Sequence, residues 1–149
     1  MSKHRSQRPV DLPLFVYGSL MRGQQADGYL ADRRVVAATV RGRLYRVPAG
    51  YPALVIDPKG HPIHGELVLD PTPGLLRVLD VYEGVGQGLY RRETAQVTRD
   101  VPPKDNVLAQ QALFSSTSRA WVYVVSARQA KARRYHPLEV RDWRKVSRR

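Results

Sequence analysis

Leu14-Phe15-Val16-Tyr17-Gly18-Ser19-Leu20 is the stretch from which the rest of the chain can be read. Four apolar residues run straight into a Gly-Ser pair, and Leu20 turns back toward the interior. A short apolar run rich in aromatic and β-branched residues predicts a buried strand. Gly18 lacks a Cβ, so the backbone there can bend sharply or pass close to a ligand. A turn leaving a central strand exposes N–H groups that no ladder partner claims, and these can hold a carboxylate or a developing oxyanion. The same residues also suit a plain strand-ending turn, so the meaning of the stretch depends on its surroundings.

Working outward, residues 24–31 predict a short helix ending near Ala31. Val35 to Val47 predicts a strand with a bulge at Gly42. Tyr51 to Ile56 predicts a second, shorter strand, followed by a turn at Asp57-Pro58-Lys59-Gly60. Ile63 to Leu69 alternates, with Ile63, Gly65, Leu67 and Leu69 on one face. A helix follows with clear boundary signals: Thr72 as N-cap, Pro73 in the first turn and Gly84 as the stop. Leu75, Val78, Leu79 and Tyr82 are spaced to make its apolar face. After Gly84, Gly86 and Gly88, Leu89 to Thr98 predicts a strand. Val101 to Ser118 predicts a long loop with a helical turn compatible with Val107–Phe114. Ala120 to Val125 predicts the last central strand, and Pro137 to Lys145 a short helix. Strands in meander order with a helix after the fourth do not make a βαβ series. They predict an α+β fold, a small mainly antiparallel β-barrel or curled sheet with one or more packed helices.

The chain of 149 residues is long enough for one domain with a real core. It divides into a basic N-terminal tail over 1–12, a domain over 13–127 and a basic C-terminal segment over 128–149. Of the net charge of +12, residues 1–8 carry +3 and residues 128–149 carry +7, so the body between is nearly neutral. Basic ends imply nonspecific contact with nucleic acid or another polyanion. Cysteine is absent, which excludes disulfides, a thiolate nucleophile and thiolate zinc sites. His61 and His64 flank Pro62 with a poor ligand spacing and read as a solvated turn, so no metal is expected. No apolar run approaches the length of a membrane span, and no hydrophobic leader follows the basic start. The expectation is a cytoplasmic protein; the oligomeric state is open.

Glu83 follows Leu79 by four residues and therefore lies along the buried helix face. It also occupies the last helical turn, where the macrodipole is negative. Burial and dipole both disfavour its charge and raise its pKa. A glutamate tuned in that way suits general acid–base work near neutral pH. A surface acid at a frayed helix end has the same placement. Asp80 faces away from Leu79 and is expected to be solvated or to bind a loop N–H.

Phe15-Val16-Tyr17-Gly18-Ser19-Leu20-Met21-Arg22-Gly23 resembles the opening signature of the gamma-glutamylcyclotransferase-like family, closest to its gamma-glutamylamine cyclotransferase branch. Leu79-Asp80-Val81-Tyr82-Glu83-Gly84 with Leu89-Tyr90-Arg91-Arg92 resembles the second signature. Gly65-Glu66-Leu67 and Trp121-Val122-Tyr123-Val124 fall where the family has its Gly-Glu and aromatic-Val-Tyr strands. The resemblance spans about residues 13 to 126, leaving the 101–118 loop and the basic C-terminus without a counterpart. It implies a small barrel with a cavity at one mouth and a cofactor-independent enzyme. The gamma-glutamyl group of an amide or amine conjugate would cyclise to 5-oxoproline and release the amine. It implies Glu83 as the acid/base and Tyr17, Gly18, Ser19 and Leu20 as the holder of the gamma-glutamyl group. Tyr90 and Tyr123, with Tyr17, are expected to donate hydrogen bonds at the cavity rim or to be core aromatics. Ser19 has no histidine placed beside it and reads as a binding residue. Two rivals stand beside this reading: a related acyl transferase or hydrolase-like member using the same cavity on another gamma-glutamyl conjugate, told apart by free glutamate in place of 5-oxoproline, and a non-enzymatic barrel that binds an anionic small molecule while its basic ends contact nucleic acid.

Overall fold

The computed structural model describes residues 12–24, 26–100 and 117–146. Seven strands are present among them: β1 (Leu14–Val16), β2 (Val35–Arg46), β3 (Pro52–Ile56), β4 (His61–Val68), β5 (Arg91–Arg99), β6 (Thr117–Val124) and β7 (His136–Pro137). Two α-helices join them, α1 (Pro73–Tyr82) and α2 (Ala127–Ala132). The order β2-β4-β1-β6-β5 closes on itself because Ala38 and Thr39 of β2 pair with Arg99 and Thr98 of β5. The result is the expected α+β barrel. Its named strand pairs are antiparallel except β1 against β6, where Phe15 lies beside Val122 in parallel register. β3 and β7 extend the sheet from the far end of β2.

β1 is buried on both faces, which is why it reads as an unbroken apolar run. Phe15 and Tyr17 join Val40, Leu67, Val97 and Val122, residues drawn from all the barrel strands, to fill the interior. Leu14 and Val16 face the other way and pack with Leu76 and Leu79 of α1 in an outer layer. Gly65 on β4 is a requirement of closeness: a Cβ there would stand 2.3 Å from the Val16 carbonyl oxygen and 2.6 Å from the Phe15 ring.

α1 begins and ends as its boundary residues dictate. Thr72 Oγ1 accepts from the Leu75 N–H at 3.1 Å, and Gly84 takes a left-handed φ of 68°. Its buried stripe is shifted from the expected one. Leu76 and Leu79 are buried, while Val78 is 50% exposed and Tyr82 41%. Leu76, Leu79 and Glu83 share this stripe at i, i+3 and i+7, so the shift keeps Glu83 on the inner side.

Other expectations are corrected. The helix over 24–31 contracts to a 3-10 turn at Asp27–Leu30. Gly42 is not a bulge, for β2 pairs one-to-one through it with Ile56 on one side and His61 on the other. A Cβ at Gly42 would lie 2.4 Å from the Val55 carbonyl oxygen, so the glycine serves a close strand approach. His61 and His64 lie in β4 rather than in a turn. Pro137 to Lys145 is not a helix but β7 followed by a 3-10 turn at Trp143–Lys145. The helix of this region is α2, capped by Ser126 Oγ at 2.9 Å from the Gln129 N–H. Residues 127–146 pack on the barrel: Ala130 and Tyr135 are buried, and Arg46 lies over the Trp143 ring at 5.8 Å. The residues of the compatible turn at Val107–Phe114 and most of the 101–118 loop lie outside the described residues. No helix among the described residues is long and apolar enough to cross a membrane.

Replacing Gly65 by alanine forces a methyl group onto the Val16 backbone, where no rotamer relieves it. Gly65→Ala is expected to lower stability by about 1–3 kcal/mol, read as a lowered urea midpoint with an unchanged slope.

Candidate active site

Where β1 ends, the chain leaves the barrel through Gly18-Ser19-Leu20. The turn is held in shape by its own backbone, with Met21 N–H donating to the Gly18 carbonyl at 3.0 Å and Ala26 N–H to that of Ser19 at 2.8 Å. Glu66 on β4 fixes the following residue, accepting from the Arg22 N–H at 2.8 Å. Asp27 Oδ2 accepts from the Gly23 N–H at 2.9 Å. Among the described residues no acceptor takes the N–H groups of Ser19 and Leu20. Gly18 lies so near Pro52 that a Cβ would be 2.6 Å from its Cγ. The turn therefore offers unclaimed donors within a rigid frame.

The turn borders a cavity of about 290 Å³. Tyr17, Gly18, Ser19, Leu20, Glu83, Tyr90 and Tyr123, the residues singled out from the sequence, all line it. Glu83 is brought there as the C-cap of α1, where its N–H donates to the Leu79 carbonyl at 2.8 Å. Among the described residues nothing donates to its carboxylate, and α1 has no basic residue in its last turn. Burial without compensation raises the Glu83 pKa to about 7. The group can therefore take up or release a proton close to neutrality.

Three phenols surround this carboxyl. Tyr17 Oη donates to the Tyr123 carbonyl at 2.6 Å and accepts from the Leu54 N–H at 3.2 Å. Tyr90 Oη donates to the Pro52 carbonyl at 2.6 Å, and Tyr123 Oη to Asp80 Oδ1 at 2.7 Å. Their protons are thus committed to acceptors in the protein, and what they present to the cavity is ring surface and oxygen lone pairs. Burial first, and the Glu83 charge among smaller causes, pushes all three phenols upward, so they remain neutral.

Asp80 is neither solvated nor on a loop N–H. It accepts from Arg92 Nε at 2.7 Å and Nη2 at 3.1 Å as well as from Tyr123. Burial opposes its charge, but the hydrogen bonds from Arg92 and Tyr123 prevail and hold its carboxyl below the usual range. The Arg92 guanidinium also stacks 4.4 Å above the Trp121 ring. Two carboxyls three residues apart on one helix end are therefore driven in opposite directions, one kept charged and one freed to titrate.

Ser19 Oγ lies 2.9 Å from Tyr82 Oη, and the Tyr82 ring rests on Tyr29 with centroids 5.0 Å apart. No described histidine lines the cavity. Among the described residues no cluster of histidine and carboxylate side chains has the composition of a metal site. Sequence reasoning missed Tyr82, Tyr51, Pro52, Leu89 and Tyr135 as lining residues. Tyr82 and Leu89 were visible within the second signature; Pro52 opens β3, and Tyr51 and Tyr135 reach the cavity from connecting segments whose sequences carry no chemical motif.

The turn with its unclaimed N–H groups and the desolvated glutamate thus line one cavity. The profile of the family "Gamma-glutamyl cyclotransferase, AIG2-like" matches residues 14–145. The chain belongs to this family. The match runs past residue 126 and takes in the C-terminal segment, in keeping with the packing of 127–146. No curated protein sequence matches. Among solved structures, an AIG2-like protein from Mus musculus has 26% identity and a TM-score of 0.55, with 76% of each chain covered. YkqA from Bacillus subtilis has 21% identity and a TM-score of 0.63, covering 90% of this chain. The chain spans only 40% of the length of the YkqA chain. An uncharacterised Pyrococcus horikoshii protein has 16% identity and a TM-score of 0.58, with 89% of each chain covered. At their lower identities the last two establish the shared fold alone.

For a member of this family, the desolvated glutamate carries a measurable cost. The folded pKa of about 7 exceeds the ordinary value of 4.5. Burial therefore costs nothing from this group below about pH 4.5, and the cost grows through pH 7 as the carboxyl is forced to ionise in place. Wild type is expected to lose up to about 3 kcal/mol from this source between pH 4.5 and 8. Glu83→Gln should lack that loss, and paired urea midpoints of the two proteins across the range provide the check.

Proposed function

We propose that this chain is a gamma-glutamylcyclotransferase-type enzyme acting on a gamma-glutamyl amide or amine conjugate. The observation that carries the reading is the Glu83 carboxyl, desolvated without a partner and lining the same cavity as the Gly18–Leu20 turn. Membership of the family supports it, as does the placement of both signatures on one cavity.

The substrate has the form Glu(γ)–NH–R. Its α-nitrogen lies within ring-closing reach of the γ-carbon, so the reaction needs a folded substrate rather than an enzyme nucleophile. The N–H groups of Ser19 and Leu20 hold the gamma-glutamyl half and receive the oxyanion as the nitrogen adds to the γ-carbonyl. With the α-amine in its free-base form, Glu83, ionised at the outset, accepts the N–H proton released as that nitrogen adds to the γ-carbonyl. It then returns that proton to the departing nitrogen as the C–N bond breaks. The products are 5-oxoproline and R–NH2, no water is consumed, and Glu83 ends in its starting state. A pKa near neutrality suits a group that must both accept and donate within one turnover. Tyr17, Tyr90 and Tyr123 form a neutral wall that keeps the carboxyl desolvated; Ser19 is placed against Tyr82 as a binding residue, not a nucleophile.

The closest branch by motif is the gamma-glutamylamine cyclotransferases, and we place the chain there. The reaction belongs in the cytoplasm, with any contact of the basic termini with polyanions nonspecific. The test is release of 5-oxoproline from a panel of gamma-glutamyl amines and dipeptides. Wild type should turn over at least one member, and Glu83→Gln should fall by roughly 10²–10⁴ in kcat. Free glutamate in place of 5-oxoproline identifies hydrolysis. Silence of a folded wild type across the panel removes the cyclotransferase reading and favours the binding barrel.

A further inference from the structure

The half of the cavity that faces Glu83 from the far side of the turn differs from the gamma-glutamyl half. Among the described residues, Glu83 is the one lining side chain that carries charge near neutral pH. Val47, Ala49, Tyr51, Leu89 and Tyr135 also line the cavity, all but Tyr135 at least partly exposed. Tyr51 is 57% exposed and Leu89 48%, so two large apolar side chains stand in water at the mouth of a concave site. Such surface is ordinarily covered when the site is occupied.

These walls are built rather than loose. The β2–β3 turn is closed by the Val47 N–H donating to the Tyr51 carbonyl at 2.8 Å, with Gly50 in a left-handed conformation at φ 104°. Leu89 folds back over Gly84, where a Cβ would be 2.6 Å from its Cδ1. Its backbone is fixed on both sides: the N–H donates to the Gly84 carbonyl at 3.1 Å, and the carbonyl accepts from Gln129 Nε2 at 2.9 Å. Ordered apolar walls give affinity without a large ordering cost.

We infer that the amine half of the substrate is apolar, an alkyl or arylalkyl amine bearing no carboxylate and no second ammonium, held by Tyr51, Leu89 and Val47. The inference rests on the cyclotransferase reading above and adds the chemistry of R to it. A carboxylate on R would be desolvated with no cation among the described lining residues to meet it and with the Glu83 charge close by. A second ammonium at the outer walls would give up its hydration for ring faces and alkyl groups, the Glu83 carboxylate being engaged with the α-nitrogen at the γ-centre. A phenyl or alkyl group instead covers the wet faces of Tyr51 and Leu89. Amino-acid and peptide conjugates are thus poor substrates because of the walls, not because of the chemistry at the γ-carbon.

The test measures 5-oxoproline release from three conjugates, gamma-glutamyl phenethylamide, gamma-glutamylglycine and gamma-glutamylputrescine. The expected result is a kcat/KM at least about 100-fold higher for the phenethylamide than for either charged conjugate. Tyr51→Ala should raise KM for the phenethylamide roughly five- to tenfold with a smaller change in kcat. Tyr51→Arg and Leu89→Arg should each shift the ratio of rates toward gamma-glutamylglycine by at least about tenfold, through a new counter-ion. Equal or greater turnover of the charged conjugates by wild type overturns the inference and leaves the cyclotransferase reading standing. Calorimetric binding of the same conjugates to Glu83→Gln separates the two claims. Tighter binding of the phenethylamide supports the apolar walls even if wild type releases no 5-oxoproline; equal binding, or none, overturns them.

Discussion

The hydroxyl of Tyr17 joins three strands at the place where the site is made. It donates to the backbone of β6 at Tyr123 and accepts from β3 at Leu54, while its own backbone continues β1. The Val125 N–H returns the favour to β3, bonding the Leu54 carbonyl at 3.0 Å. Buried, with every partner a main-chain group, this phenol is a structural fastener. It also sets how far the Gly18–Leu20 turn stands from the rest of the cavity. The Gly65 contact fixes β1 from the opposite side, so the turn emerges from a strand that can neither slide nor tilt.

Against this rigid half, α1 delivers a carboxyl that folding alone would have placed in water. Leu76 and Leu79 anchor the inner stripe, and the Asp80–Arg92 pair with Tyr123 ties the helix end to β5 and β6. Glu83 is carried inward on the same stripe. The helix thus couples a satisfied acid to an unsatisfied one. The ion pair holds the helix end, and the dry wall of phenols keeps the pKa of the second acid high. Stability is spent at one residue and recovered at its neighbour three positions back.

Much of this could be read from local pattern. The apolar run before Gly18 gave a central strand because both faces of β1 are buried. Thr72, Pro73 and Gly84 bounded α1 because capping is a local matter of N–H and φ. The four-residue step from Leu79 was enough to turn Glu83 inward. What escaped depends on contacts distant in sequence. Val78 and Tyr82 fit an apolar stripe as well as Leu76 does, and only the sheet beneath the helix selects between them. Asp80 could not be known to meet Arg92 and Tyr123 before the strands were paired. In the C-terminal segment arginines and lysines dominate the composition, while the cap at Ser126 and the packing of Ala130, Tyr135 and Trp143 depend on contacts that the composition does not display. Gly42 suggested a bulge, since a glycine that permits close strand approach leaves the same mark in a sequence.

The parallel pairing of β1 with β6 has a consequence for how the protein comes into being. The Tyr17–Tyr123 hydrogen bond joins residues 106 positions apart. β1 is made first on the ribosome and can hydrogen-bond β4 once the middle of the chain emerges, but its second neighbour arrives late. Until then one edge of β1 is open and the barrel is a curled, unclosed sheet, with the slow folding that long-range pairing brings. The turn that shares the cavity with Glu83 therefore takes its final shape only after β6 has been synthesised. A nascent chain holds both signatures in its sequence and neither in its geometry, and the cavity waits for the last barrel strand.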